Sequence, residues 1–161
     1  VVDAVAPLPV LGAGGIASGR QAAAAMAMGA QGVWCGSVWL TTPESEVSPL
    51  PKKKLLAATS EDTVRTRMLS GKPARMLRSR WTDEWEHSDC PGFLPMPLQG
   101  MLVQDANLRI ERSQNEDLAF YPTGQSVGMT NDERDCKTII FEMINDYLEA
   151  VERLNRTLEE A

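Results

Sequence analysis

The chain has 161 residues, 16 basic and 22 acidic side chains, and a net charge of −6 with its single histidine neutral. That length holds one domain with a real core and excludes a closed eight-stranded (β/α) barrel, which takes roughly 200 residues or more. The acidic balance speaks against broad nucleic-acid binding, which needs a cationic surface to displace counterions, and no apolar run approaches the ~20 residues of a membrane span. Cys35, Cys90 and Cys136 are odd in number, lie far apart and match no zinc spacing. They suit a reducing, cytoplasmic setting and offer no metal site. The opening Val1-Val2-Asp3-Ala4-Val5 reads as the interior of a longer chain.

Residues 1–41 are rich in Ala, Gly and Val, with Asp3 and Arg20 as their charged groups. Pro9-Val10-Leu11-Gly12-Ala13 is an apolar run without alternation, ending in Gly14-Gly15. It predicts a parallel strand buried on both faces. Ser18 with Gln21 three residues on forms a capping box that opens a helix over residues 19–28, closed by Gly29. A second apolar run, Gly32-Val33-Trp34-Cys35, stops at Gly36-Ser37. The region therefore reads as one βαβ unit, with Cys35 a small hydrophobe inside a buried strand.

The middle of the chain, to residue 134, holds most of the prolines and is irregular in texture. Thr42-Pro43-Glu44 has the makings of a helix start, with a cap, a first-turn proline and an acid near the positive end. Residues 52–58 predict a short helix with a solvated Lys52-Lys53-Lys54 start. Residues 63–68 alternate like a half-buried strand. Trp81 and Trp85, four apart, share a helix face packed in a small domain. His87 reads as a surface loop residue. Pro97 begins a helix with Leu98, Met101, Leu102 and Leu108 on a core face. In the last region Ile140, Met143, Ile144, Tyr147, Leu148, Val151, Leu154 and Leu158 recur at three- and four-residue steps. They predict an amphipathic helix, with Asp132 and Glu133 at its start and an apolar stripe that forms core.

The two glycine-ended strands carry the chemistry. In parallel α/β proteins ligands bind beyond the carboxyl ends of the strands, and in (β/α) barrels the last two such loops commonly build a phosphate site. Glycine lets the backbone approach the anion, and free N–H groups near a helix start donate to it. Ala13, Gly14 and Gly15 would form one set of donors, and Gly36 with the Ser37 hydroxyl the other. Either turn alone reads better as a tight βα connection. The same feature at two consecutive strand ends favours phosphate.

Pro9-Val10-Leu11-Gly12-Ala13-Gly14-Gly15-Ile16-Ala17-Ser18-Gly19-Arg20, followed by Met28-Gly29-Ala30-Gln31-Gly32-Val33-Trp34-Cys35-Gly36-Ser37, resembles the nitronate monooxygenase family, formerly called 2-nitropropane dioxygenases. Trp39-Leu40-Thr41-Thr42-Pro43-Glu44, Gly71-Lys72-Pro73-Ala74-Arg75, Pro95-Met96-Pro97-Leu98-Gln99 and Gly124-Gln125-Ser126-Val127-Gly128 resemble that family's carboxyl-terminal half. The resemblance implies an α/β chain, the C-terminal part of an FMN-binding (β/α)₈ barrel. Residues 1–41 would be its last two strands with the FMN-phosphate turns, 42–130 a small inserted α-rich domain, and 131–161 a closing helix. Exposed strand edges then imply poor solubility in isolation.

The activity implied is oxidation of a small-molecule alkyl nitronate by molecular oxygen, with FMN as cofactor and no metal. Ala13, Gly14, Gly15, Gly36 and Ser37 match the family's phosphate turns, with serine at a position where many members carry threonine. The family's active-site histidine lies on an earlier strand, so this chain holds the phosphate half of the site and no catalytic residue. By resemblance alone Tyr121 and Gln125 match a loop that closes over the flavin ring, with an ordinary exposed loop as the equal alternative. An FMN-dependent enoyl reductase of the same barrel superfamily is the runner-up. A non-catalytic phosphate-binding module or remnant is the reading from another class.

Overall fold

The computed structural model describes residues 1–160 of the chain. They divide into two units, one made of residues 1–46 and those from 132 onward and the other of 47–131.

The first unit begins with a short helical turn, α1 (Val2–Val5), followed by strand β1 (Leu11–Ala13), helix α2 (Gly19–Ala27) and strand β2 (Gly32–Trp34). β1 and β2 pair in parallel, with Leu11 opposite Gly32 and Ala13 opposite Trp34. This is the expected βαβ unit. The capping box is present, since Gln21 N–H donates to Ser18 Oγ (3.3 Å) and Ser18 N–H to Gln21 Oε1 (3.1 Å). The strands are not buried on both faces, however. They form a sheet of two, and Leu11 and Trp34 are exposed, the latter by 70%. Cys35 falls one residue past β2 and is half-buried, not enclosed in a strand.

Helix α6 (Cys136–Glu159) packs on α2. The contact is backbone to backbone: a Cβ placed on Gly19 would lie 2.0 Å from Met143 O and 2.3 Å from Tyr147 N. Ala22, Ala23 and Ala25 of α2 are buried, their small side chains permitting a near approach. Gly12 does the same between β1 and α2, where an added Cβ would meet Ala25 Cβ at 2.9 Å. On α6 the buried line is Ile139 and Ala150, with Met143 and Tyr147 half-buried between them. The predicted core stripe is therefore corrected. The helix carries two apolar lines one residue apart, α2 takes up one, and Ile140, Ile144, Leu148, Leu154 and Leu158 are exposed.

Two expected helix starts also move. Thr42-Pro43-Glu44 forms turns rather than a helix, with Ser45 N–H bonded to Thr42 O. Its acid serves another helix, because Glu44 Oε1 accepts from Cys136 N–H at the first turn of α6 (3.0 Å). The cap of α6 is Asp135, whose carboxylate accepts from Thr138 N–H (2.6 Å), so the helix begins after Asp132 and Glu133. These bonds pull the Glu44 and Asp135 carboxyls below their ordinary values. For Glu44 the causes are backbone N–H donors, first its own and then that of Cys136; for Asp135 the cause is hydrogen bonding from Thr138.

The second unit contains α3 (Pro49–Ala57), strands β3 (Thr63–Thr66) and β4 (Ala74–Leu77), α4 (Arg80–Glu86) and α5 (Leu98–Ser113). β3 and β4 pair antiparallel, and the segment around Pro122 adds a bridge to Met76, with Leu77 N–H bonded to Tyr121 O. Alternation identified β3, though the strand ends two residues early. α3 starts at a proline one turn before the predicted residue 52, so the three lysines lie inside it. Lys54 is not simply solvated: its ammonium donates to Glu116 O and Ala119 O (2.9 and 2.7 Å), and burial pushes its pKa down. On α5 the buried residues are Gln99 and Val103, while Leu98, Met101, Leu102 and Leu108 are exposed, which corrects the predicted core face. Trp81 and Trp85 meet edge to face at 5.9 Å, and Trp81 Nε1–H donates to Asn107 Oδ1 on α5.

Replacing Gly19 by alanine forces α2 off α6 and is expected to destabilise the protein by about 3 kcal/mol, read as a fall in the chemical-denaturation midpoint. Because Glu44 and Asp135 have lowered pKa values, the stability they add to the α6 start is present above the ordinary carboxylate pKa of roughly 4 and is lost as pH falls through their folded values. Amide exchange at the first turn of α6 should therefore accelerate on acidification, and an Asp135→Asn, Glu44→Gln double variant should show a flatter response.

Candidate functional site

The parallel register places the carboxyl ends of β1 and β2 side by side, so the turns that follow them share one end of the sheet. Adjacent strands lie about 4.8 Å apart. Gly14 and Gly15 have φ of +96° and +73°, a left-handed pair that only glycine adopts without strain. Gly36 has φ −117° and precedes a 3₁₀ turn, Ser37–Trp39. An added Cβ at Gly14, Gly15 or Gly36 would meet nothing within 4 Å. Both turns thus present bare backbone to open space, as a cradle for an approaching group does.

Donor supply is the second requirement. Among the described residues no partner takes up the N–H of Gly14, Gly15 or Gly36. The start of α2 is different. Ala17 N–H and Ser18 N–H donate to Gln21 Oε1, Arg20 N–H donates to Asp146 Oδ2 (2.9 Å), and Gln21 N–H donates to Ser18 Oγ. The expectation that a helix start lends free donors therefore narrows to the glycine turns, because the helix end itself is consumed by its cap and by a carboxylate from α6. Arg20 Nε also pairs with Asp146 at 3.1 Å.

Sequence reasoning missed the residue that holds the first turn. Gln21 Nε2 donates to Gly15 O at 2.9 Å while its Oε1 accepts from Ala17 and Ser18. One amide side chain thus fixes the loop from both sides. The capping-box spacing flags Gln21, but its reach to Gly15 depends on the left-handed turn and has no separate signal in the sequence.

The remaining named residues lie elsewhere. His87 is the residue after α4, with its side chain 61% exposed and Nδ1 3.7 Å from Asp89. Burial pushes the Cys35 thiol up, which keeps it protonated and poorly nucleophilic. Tyr121 and Gln125 belong to the second unit, where Gln125 O accepts from Ser60 Oγ. Among the described residues no three His, Cys, Asp or Glu side chains cluster as metal ligands, and no helix is long and apolar enough to cross a membrane.

A βαβ unit with two glycine turns at one end of a parallel strand pair defines an α/β chain. Comparison with known proteins narrows that class to a family. The family profile described as nitronate monooxygenase matches residues 1–146. A Mycobacterium tuberculosis protein carried under a monooxygenase name is 54% identical over 160 residues, covering 96% of this chain and 43% of that protein. A Bacillus subtilis protein carried under the name nitronate monooxygenase is 32% identical, covering 86% of this chain and 40% of its own length. The chain belongs to the nitronate monooxygenase family.

Among solved structures, FabK from Thermotoga maritima superposes with TM-score 0.78 at 33% identity, covering 98% of this chain and 49% of that one. Nitroalkane oxidase from Streptomyces ansochromogenes superposes with TM-score 0.82 at 27% identity, covering 94% of this chain and 42% of that one. The chain spans about two fifths of the length of these curated relatives and less than half of each structural neighbour.

Proposed function

We propose that this chain supplies the flavin-phosphate half of an FMN-dependent nitronate monooxygenase that, as the complete protein, oxidises alkyl nitronates with molecular oxygen. In this reading β1 and β2 are the last two strands of a (β/α)₈ barrel. The observation that carries it is the pair of open glycine turns at one end of a parallel strand pair, in a chain of this family. Ala13, Gly14 and Gly15 would hold the phosphate from one side, and Gly36 and Ser37 from the other. The amides of Gly14, Gly15 and Gly36, with the Ser37 hydroxyl, would neutralise its charge without a lysine or arginine.

Bound FMN would supply the electron transfer between nitronate and oxygen. This chain's residues bind and orient. The φ-positive glycines turn their amides outward, Gln21 fixes the turn through the Gly15 carbonyl, and Asp146 keeps the start of α2 occupied so that the anion is directed to the glycine amides. No residue here is assigned a proton-transfer role, and the catalytic histidine is assigned to a strand outside this chain.

The likeness to FabK supports a second reading, an FMN-dependent enoyl reductase of the same superfamily. A non-catalytic phosphate-binding role shares only the turns. Oxygen uptake by the complete, FMN-loaded protein separates these. Rapid uptake on adding an alkyl nitronate without NADH is expected; NADH oxidation with an enoyl thioester, and no uptake with nitronate, would move the assignment to the reductase.

Gly36 is the cleaner probe of the phosphate turns, because its φ is ordinary and an added Cβ there meets nothing within 4 Å. Gly36→Leu in the complete protein should leave the melting temperature unchanged and lower flavin content at least tenfold. Gly15→Leu should lose flavin and stability together, since φ +73° strains any side chain. Retention of flavin by both variants would remove the phosphate assignment.

A further inference from the structure

Between Asp62 and Asp83 the sequence holds six cations (Arg65, Arg67, Lys72, Arg75, Arg78 and Arg80) and no acid, in a chain whose net charge is −6. Arg78 and Arg80 have carboxylate partners in Asp83 and Glu84, and Arg75 donates to Thr63 O and Oγ1. Arg65, Arg67 and Lys72 have no ion pair among the described residues. Thr66 and Met68 are buried, while Arg65 near the end of β3 and Arg67 just past it are exposed. Arg65 also stands directly opposite Arg75 across the ladder, a like-charge pairing that costs stability unless an anion relieves it.

These cations border two adjoining cavities. One, of about 390 Å³, is lined by Arg65, Arg67, Glu86 and Phe93; the other, of about 420 Å³, by Arg67, Lys72, Phe93, Pro95 and Met96. Arg67, Pro73 and Phe93 are common to both. Each volume falls in the range of small-ligand sites, roughly 300–1,000 Å³.

The walls are fixed. Gln99, fully buried, accepts from Leu94 N–H and donates to Met68 O, tying the loop after β3 to the segment before α5. Gly71, at φ +83°, seats that loop so closely that a Cβ would lie 2.3 Å from Leu94 O. Phe93 is held by stacking on Trp85 at 5.8 Å. A cationic rim on one side and an apolar wall on the other suit a ligand with the same division.

We propose that the β3–β4 hairpin and residues 93–96 form a binding site, separate from the glycine turns, for a small organic phosphate of mononucleotide size. Arg65, Arg67 and Lys72 take its phosphate groups, as charge-assisted donors do, and Phe93, Pro95 and Met96 take its carbon part. Glu86 accepts from a ligand hydroxyl or ring N–H.

The test is calorimetric titration of ADP into the complete, FMN-loaded protein, with pyrophosphate as the probe lacking an organic part. ADP should bind, more tightly than pyrophosphate and more weakly as salt is raised. Arg67→Gln and Lys72→Gln alter exposed side chains and should each weaken ADP roughly tenfold or more, with flavin content unchanged. Absence of ADP binding, equal affinity in the parent and both variants, or binding only with release of FMN would each overturn the proposal.

Discussion

The first unit depends on one backbone contact. Where α2 begins, Gly19 lies against the Met143 carbonyl and the Tyr147 amide of α6, with no room for a methyl group between them. This contact joins segments more than 120 residues apart in sequence, and a contact that distant repays its loop-closure entropy only if the two surfaces fit closely. The alanines that follow in α2 extend the fit. Asp146 exploits the same closeness, reaching the Arg20 amide and guanidinium from the opposing helix. Gly19 in turn immediately follows the cap that anchors the Gly14-Gly15 turn. The geometry of the glycine turn therefore rests on how α6 is seated, with Asp146 of α6 bonded to the start of α2.

Much of this was legible locally. The apolar runs ending in glycine gave β1 and β2, Ser18 and Gln21 gave the cap, and the three- and four-residue steps gave α6. Each is a short-range signal, in which the residue and its reason lie within a turn of one another. Resemblance then added what spacing cannot supply, the family to which the chain belongs.

The misreadings share a physical cause. Thr42-Pro43-Glu44 has the composition of a helix start, but Glu44 satisfies an amide of α6 rather than of its own segment. Capping chemistry is the same whether the donor is three residues away or ninety, and composition does not distinguish them. The core faces of α5 and α6 failed similarly. Periodicity identifies which residues are apolar together but not which of two adjacent lines a neighbour will cover. On α5 the choice fell on Gln99, a polar residue that no hydrophobic pattern selects. It is buried because both ends of its amide find backbone partners, at Leu94 and Met68. Strand β4 went unseen because its partner, not its own composition, defines it.

Gln21 and Gln99 solve the same problem in the two units. Each uses an amide group, donor at one end and acceptor at the other, to hold a loop whose backbone groups have no ladder or helix to join. Gln21 fixes the turn after β1 and Gln99 fixes the loop after β3. In both cases the loop so held carries groups without a partner among the described residues: the amides of Gly14 and Gly15, and the cations Arg67 and Lys72. A loop held by its own backbone bonds would spend those amides internally, and one held by ion pairs would neutralise those cations. Bracing by a neutral side chain leaves each loop ordered with those groups unspent.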